Sequence, residues 1–361
     1  MKNTIRIGLV GGGFGREFSF HEHPGCKVTA VAELHPKRRE GLRDLCRCDT
    51  AYETLDELLR DPNVEAVALF TPPPDHARHS IAALRAGKHV LSAVPAAMSL
   101  EECQALKETV EATGLTYMMA ETSYYRRETI QARDWYREGR FGELFYSEGE
   151  YWHEKLETIM FADGKPTWRH GLPPMHYPTH STGFLIGVTG ERLIRVQCTG
   201  WGDDDEILKT NVYNNPFWSE MAFFQTDRGH SSRMIVGWHV GYPEVERASW
   251  YGSDFSFVMA SPVGQPNAIS ESNQAQTVPV SDFYERLPEP LRHPSGHGGS
   301  HTHLTHEFIS ALQEERRPAI DVYEAIAYTA PGIVAHQSAL KGGELLPVPS
   351  FDKPTPLPPR A

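Results

Sequence analysis

The start of this chain limits its fold more than any other stretch. Residues 4–10 (TIRIGLV) are a short apolar run that enters a glycine cluster, Gly11, Gly12, Gly13 and Gly15; a second run, residues 27–33 (KVTAVAE), ends on Glu33. Glycines after a first strand leave the backbone bare, so that a pyrophosphate can approach the N-terminus of a following helix. A carboxylate about 20 residues further on is placed to accept hydrogen bonds from an adenosine ribose. The order predicts strand, turn, helix, strand, and with it a dinucleotide site drawn from Gly11, Gly13, Phe14, Gly15 and Glu33. The glycine spacing alone says less, because Arg16 stands in the third place of the usual pattern and Gly15 comes one residue early. Glu33 would repel a 2′-phosphate, which favours NAD over NADP. The basic residues that follow, Lys37, Arg38 and Arg39, read as the exposed first turn of a helix.

The same alternation continues. Helical text at 55–60, 76–85 and 100–112 is interleaved with apolar runs at 64–70, 89–91 and 116–119, which predicts a doubly wound parallel sheet with both faces covered. From residue 145 the text changes. Longer runs at 144–152, 221–225 and 232–240, separated by Gly, Pro and Asn turns, suit a mostly antiparallel sheet. Residues 261–299, rich in Pro, Ser, Gly and Gln, read as a long excursion, and helical text returns at 302–314 and 322–338. We therefore expect an α/β chain with an N-terminal Rossmann domain over 1–123 and an α+β substrate and oligomerisation domain over 124–345. The late helices fall at the junction, and a Pro-rich tail covers 346–361.

Charge narrows the partners. With 35 basic against 47 acidic residues the formal charge is −12, which opposes phosphate backbones and anionic lipid, so neither nucleic acid nor membrane is expected. No apolar run reaches the roughly 18 residues of a spanning helix. The five cysteines form no CxxC pair, and their odd number does not suit a disulfide framework. A cytoplasmic enzyme of small molecules is the expectation.

Residues 86–102 (AGKHVLSAVPAAMSLEE) resemble the glucose-fructose oxidoreductase/inositol dehydrogenase (Gfo/Idh/MocA) family, whose text here is AGKHVxxEKPxAxxxEE. The family lysine touches the substrate hydroxyl and the cofactor; in this chain the Glu-Lys pair reads Ala93-Val94, followed by Pro95. The stretch is similar to a branch of that superfamily, the NAD-dependent α-N-acetylgalactosaminidases and related redox-assisted glycosidases, which carries EVPAAM in this place. Residues 71–76 (TPPPDH) resemble the family's TPPxxH loop near the nicotinamide ribose, adding Thr71, Pro72 and His76, with Val94 and Pro95, to the candidate cofactor residues.

Further matches run in order along the chain. Residues 176–180 (HYPTH) stand where the family has DxxxH and the branch YxTHG; Tyr177 and His180 match, His176 replaces the aspartate and Ser181 the glycine. Glu121 resembles the glutamate of the branch's MxEN, Trp168-Arg169 its WR, and residues 296–299 (GHGG) its GHGG. The resemblance implies NAD as cofactor, a second domain with an open sheet, a homo-oligomer (dimer or tetramer), and a carbohydrate or glycoside as substrate. His180, Tyr177, Glu121 and His297 are the candidate catalytic residues, with Arg169, Trp168, His176 and His153 as substrate ligands.

Each has a structural alternative. Tyr177 and His180 could be buried interface residues, Glu121 could cap a turn or pair with Arg126 or Arg127, Arg169 could be a surface ion-pair residue, and His297 a solvated loop residue. Clustered imidazoles can bind zinc, but the spacing of His293, His297, His301, His303 and His306 matches no zinc motif, and no metal is expected. The leading expectation is redox-assisted glycoside hydrolysis through transient oxidation at sugar C3. An NAD-dependent sugar dehydrogenase or keto-sugar reductase without the lysine is the alternative, and a non-catalytic NAD- and sugar-binding protein is a third.

Overall fold

The computed structural model describes residues 3–352. The first half holds β1 (Ile5–Val10), β2 (Cys26–Ala32), α1 (Pro36–Cys46), β3 (Thr50–Tyr52), α2 (Leu55–Leu59), β4 (Ala66–Leu69), α3 (His76–Arg85), β5 (His89–Ser92), α4 (Leu100–Thr113) and β6 (Tyr117–Met119). Its strands form one parallel sheet in the order β3-β2-β1-β4-β5-β6. All four residues of β4 are buried, as a strand covered on both faces requires.

The predicted helix between β1 and β2 is absent. Two short 3₁₀ turns, Gly15–Phe18 and Phe20–Glu22, take its place, joined by Ser19 in the left-handed conformation at φ 50°. Phe18 and Phe20 are both fully buried. Residues two apart lie on opposite sides of an α-helix and could not enter one core, so the chain kinks between them.

The second half contains α5 (Arg127–Arg137), β7 (Leu144–Trp152), a small hairpin of β8 (Phe161–Ala162) and β9 (Lys165–Pro166), α6 (Thr179–Thr189), β10 (Leu193–Trp201), β11 (Ser219–Thr226), β12 (Ser231–Gly237), β13 (Val245–Gly252), β14 (Phe255–Val258), β15 (Ala268–Glu271), β16 (Gln274–Thr277), α7 (Gly296–Gln313), α8 (Val322–Leu340) and β17 (Leu346–Pro347). The large sheet runs β16-β15-β14-β13-β7-β12-β11-β10-β17 and is antiparallel except for the β12–β7 pair. Residues 261–299 are thus no plain excursion, since β15 and β16 extend the sheet at its edge. Leu346 and Pro347, expected within the tail, pair with β10; residues 353–361 of that tail lie outside the described residues.

One face of the large sheet packs on helices. Every residue of α6 is buried, the polar first turn as well as the apolar stretch that follows it. The other face bears the exposed side chains Trp201, Met221 and Phe223 beside an ion-pair ladder in which Arg233 reaches Glu148 and Glu150, and Arg247 reaches Glu150. Among the described residues no helix is long and apolar enough to cross a membrane.

Candidate active site

A cavity of about 1040 Å³ lies between the two sheets' C-terminal loops and α7. Its first wall is the parallel-sheet half. Gly11 has φ +95°, and a Cβ there would sit 2.4 Å from the Phe70 carbonyl oxygen, so only glycine fits. A Cβ on Gly13 would meet nothing within 4 Å, and both glycines line the cavity with Phe14, leaving bare backbone for a phosphate. Glu33, at the end of β2, accepts hydrogen bonds from Gly12 N (2.7 Å) and His35 N (2.9 Å), and Arg38 lies 3.3 Å from it. The carboxylate therefore ties the glycine loop to the strand end while it lines the cavity. These features fit a dinucleotide, whose pyrophosphate would lie against the Gly13 and Phe14 backbone in place of a helix N-terminus, since the amides of Gly11 and Gly12 already donate to Ala32 O and Glu33.

Two cofactor candidates, Gly15 and Pro95, stand back from the cavity, and a third, His76, lines it with its ring nitrogens turned to backbone. Gly15 does not line the cavity; its missing side chain makes room for the Phe70 ring, which a Cβ would meet at 2.6 Å. His76 is buried with both ring nitrogens against carbonyls, Nδ1 at 2.7 Å from Pro95 O and Nε2 at 2.6 Å from Thr71 O. It pins the 71–76 loop to the 93–97 segment, and Pro95 lies behind the wall. Thr71, Pro72, Ala93 and Val94 do face the cavity, and Val94 is 6% exposed. The place of the family lysine is thus an apolar patch of wall.

The second wall holds the polar chemistry. His180, in the first turn of α6, is buried, with Nδ1 3.0 Å from Glu121 Oε1 and 3.7 Å from Glu246 Oε1. Thr122 Oγ1 lies 3.3 Å from the same nitrogen, so Nε2 is the nitrogen left for the cavity. Burial opposes the imidazolium, but the Glu121 and Glu246 carboxylates outweigh it and raise the His180 pKa. Glu121 is fully buried behind His180 rather than on the wall, and it caps the following turn through Ser123 N at 2.7 Å. It pairs with neither arginine considered from the sequence: Arg126 binds Glu246 at 2.7 Å, and Arg127 binds Glu128.

His297 approaches from α7. Its residue and the next two, Gly298 and Gly299, all adopt left-handed φ of 50°, 67° and 94°, a turn that throws the imidazole inward. The ring lies nearly parallel to that of His180, with centroids 6.2 Å apart, and its Nδ1 is 2.9 Å from His301 Nε2. Burial keeps the His297 pKa below the ordinary imidazole value. The two facing histidines are thus pushed in opposite directions. Tyr177 stacks on Tyr151 at 6.0 Å and lies 5.2 Å from the His180 ring, and burial holds its phenol protonated, well above the usual range.

His153, Trp168 and Arg169 also line the cavity, and the Arg169 guanidinium stacks 4.0 Å over the Trp168 ring. His176 does not: it is partly buried, edge-on against His336 at 5.0 Å, and desolvation drives its pKa to about 3. The expected substrate contact there is withdrawn. The C-terminal histidines also part company, since His293 pairs with Glu22, His306 with His23, and His303 stacks on Tyr125.

Sequence reasoning missed Glu246, Tyr151 and Trp238. Glu246 shares the buried face of β13 with Ala248 and Trp250, and an acid in register with core residues is a signal that some partner lies opposite. Among the described residues, Glu121, His180 and Glu246 are the one trio whose ligand atoms all come within 4.8 Å. Arg126 already brings positive charge to that trio.

Comparison with known proteins accords with this layout. Residues 5–121 match the oxidoreductase family with an NAD-binding Rossmann fold, and residues 281–355 match the glycosyl hydrolase 109 C-terminal domain. Fold and site define an NAD-dependent carbohydrate enzyme of oxidoreductase architecture. Within that class the chain belongs to glycosyl hydrolase family 109: it is 31% identical to glycosyl hydrolase family 109 protein 1 of Shewanella sp. (strain MR-4), over 97% of this chain and 85% of that protein. A family 109 protein of Solibacter usitatus (strain Ellin6076) is 25% identical over 97% of this chain and 89% of its own length. In solved structures the fold is similar to levoglucosan dehydrogenase in complex with NADH and L-sorbose, with TM-score 0.81 and 19% identity over 97% of this chain and all (100%) of that one. It is also similar to scyllo-inositol dehydrogenase from Lactobacillus casei with bound NAD(H) and scyllo-inositol, with TM-score 0.74 and 15% identity over 96% and 99% of the two chains.

Proposed function

We propose that this chain cleaves a glycosidic bond by a redox-neutral route, with the sugar ring bound between Val94 and the His180–His297 pair. The carrying observation is that pair: parallel rings 6.2 Å apart, one pushed toward the imidazolium and the other away from it. A simple dehydrogenase needs one base, whereas elimination needs a base and an acid together, and oppositely shifted neighbours supply them. NAD, when bound along Gly11, Gly13, Phe14, Glu33, Thr71 and Pro72, would supply a reversible hydride acceptor for sugar C3. With that hydride removed and the C3 hydroxyl proton passed to solvent, the ring would carry a ketone at C3, which acidifies the C2 proton.

His297 takes the C2 proton on its cavity-facing nitrogen, and the electron pair of that bond forms C1=C2 as the C1–oxygen bond breaks. His180 gives its Nε2 proton to the departing oxygen. Water then adds at C1, its proton returning to His180 while His297 reprotonates C2, and return of the hydride and a proton to the C3 carbonyl would restore the alcohol, so both residues and the cofactor end as they began. Tyr177, a neutral phenol, is placed to hydrogen-bond the sugar, and Arg169 with Trp168 and His153 to bind the rest of the glycoside. Glu121 orients His180 without touching substrate. The domain division at about residue 123 and a homo-oligomer built on the open sheet face belong to the same reading; exposed Trp201, Met221 and Phe223 support the latter.

Hydrolysis of a glycoside panel in deuterated water tests it by mass spectrometry. One deuterium at C2 of the released sugar, without accumulation of NADH, is the expected result. NADH formed in proportion to product, with no label at C2, would make the chain a dehydrogenase. Tight binding with no turnover across the panel would leave a binding protein.

A further inference from the structure

Glu246 stands on β13, outside every motif used so far, and its surroundings set it apart from an ordinary buried ion pair. Its Oε2 accepts from Arg126 at 2.7 Å, while Oε1 has no hydrogen-bond partner and lies 3.7 Å from His180 Nδ1. Glu121 mirrors it: Oε1 faces His180 and Oε2 has no hydrogen-bond partner. All four side chains are buried or nearly so, and the unmet oxygens lie where water cannot solvate them.

With both carboxylates ionised, as the lowered pKa of each favours, the group is neutral only when His180 carries a proton. Two carboxylates against the Arg126 guanidinium leave one net negative charge, which a proton on His180 cancels. Removing that proton would strand a buried carboxylate without a counter-charge, a state that low-dielectric surroundings penalise.

We propose that Glu246, paired with Arg126, is a second positioning residue for His180 and holds it as an imidazolium in the resting site, which assigns His180 the role of proton donor to the leaving oxygen and leaves the C2 proton to another base. The titratable and charged groups facing His180 are Glu121 from the loop after β6, Arg126 ahead of α5, Glu246 on β13, Tyr151 on β7, Tyr177 and His297. Arg126 and His297 weaken the effect and the two carboxylates supply it. The burial of Glu246 opposes its charge, yet Arg126 and His180 bring its pKa down to about 2, so it remains ionised throughout the working range. This rests on the reading of His180 as the acid for the leaving oxygen.

The test separates the two claims. In the NAD-loaded protein labelled with ¹⁵N-histidine, with His180 assigned by its loss in a His180→Asn variant, His180 should titrate above the ordinary imidazole value of about 6.5. Glu246→Gln should lower that midpoint by about one pH unit or more, the usual effect of a nearby opposite charge. Glu246→Asp, which keeps the charge, should restore most of it. The alkaline limb of kcat/KM on the best methyl glycoside should move down in Glu246→Gln by the same amount, because a donor stops working as pH rises past its pKa.

A His180 that titrates below 6.5 in the parent, or a midpoint that Glu246→Gln leaves in place, overturns the proposal whatever the activity. The parent titration decides the matter even where the glutamine variant does not fold. A midpoint that moves while the alkaline limb does not upholds the charge assignment and overturns the acid role. Stoichiometric divalent metal in the purified protein, with His180 no longer titrating, would also overturn it.

Discussion

The two walls of the cavity are made in opposite ways. On the parallel-sheet side His76 and Glu33 are already committed to backbone, the His76 ring lying between two carbonyls and Glu33 accepting from two amides, and Val94 stands where a lysine would be charged. The shape presented there is that of bare glycine backbone. On the other side the side chains keep atoms in reserve, with Nε2 of His180 facing the cavity and carboxylate oxygens of Glu121 and Glu246 unmet behind it. Binding surface can be built from backbone alone, whereas proton transfer needs side chains held short of full satisfaction.

That contrast breaks most readily at His180. His180→Ala should cut turnover by at least about 100-fold, the low end for losing a general acid or base, with NAD affinity unchanged by calorimetry. Its thermal midpoint is the control. A variant that folds, binds NAD and turns over at the parental rate would move the chemistry to Tyr177 or His297 and erase the distinction between the walls.

Glu33→Ala probes the opposite wall and should weaken NAD binding by about 1–3 kcal/mol, the range for charged hydrogen bonds to a ligand. The Gly12 and His35 amides would lose their acceptor at the same time, so a lower unfolding midpoint is expected as well. Calorimetry in which the parent binds NADP as tightly as NAD would contradict the ribose assignment.

Val94→Lys should have the smallest effect, with activity unchanged or lower. An ammonium at this site would be partly desolvated beside Ala93, with no carboxylate in the usual place to hold it. A large gain in NAD-linked polyol oxidation would show that the apolar wall is a lapsed dehydrogenase site, and that the walls were once alike.

Much of this was legible in the text. The spans of α3 and β7 and the parallel pairing of the first sheet follow from the alternation of elements, and Tyr177, His180 and His297 all reach the cavity. What escaped depends on contacts distant in sequence. The helix expected after the glycine cluster ignored Phe18 and Phe20, whose spacing of two cannot serve one buried helix face. His176 and His180 both read as site residues in HYPTH, the first as a substrate ligand and the second as catalytic, but the 3₁₀ turn at Pro174–His176 ends between them and sends the first toward His336 and the second toward Glu121. Glu246 is 120 residues from Arg126, and no local pattern joins them.

The three left-handed residues at the head of α7 bear on how this chain can evolve. Glycine takes that geometry freely, but for histidine it costs on the order of 1–2 kcal/mol, and a chain selected for stability alone would carry Gly or Asn at position 297. An imidazole there sets that folding cost against a side chain already aimed before any sugar arrives. Drift at positions 298 and 299 is closed off for the same reason, since any Cβ would add to a strain that His297 has already imposed on the turn.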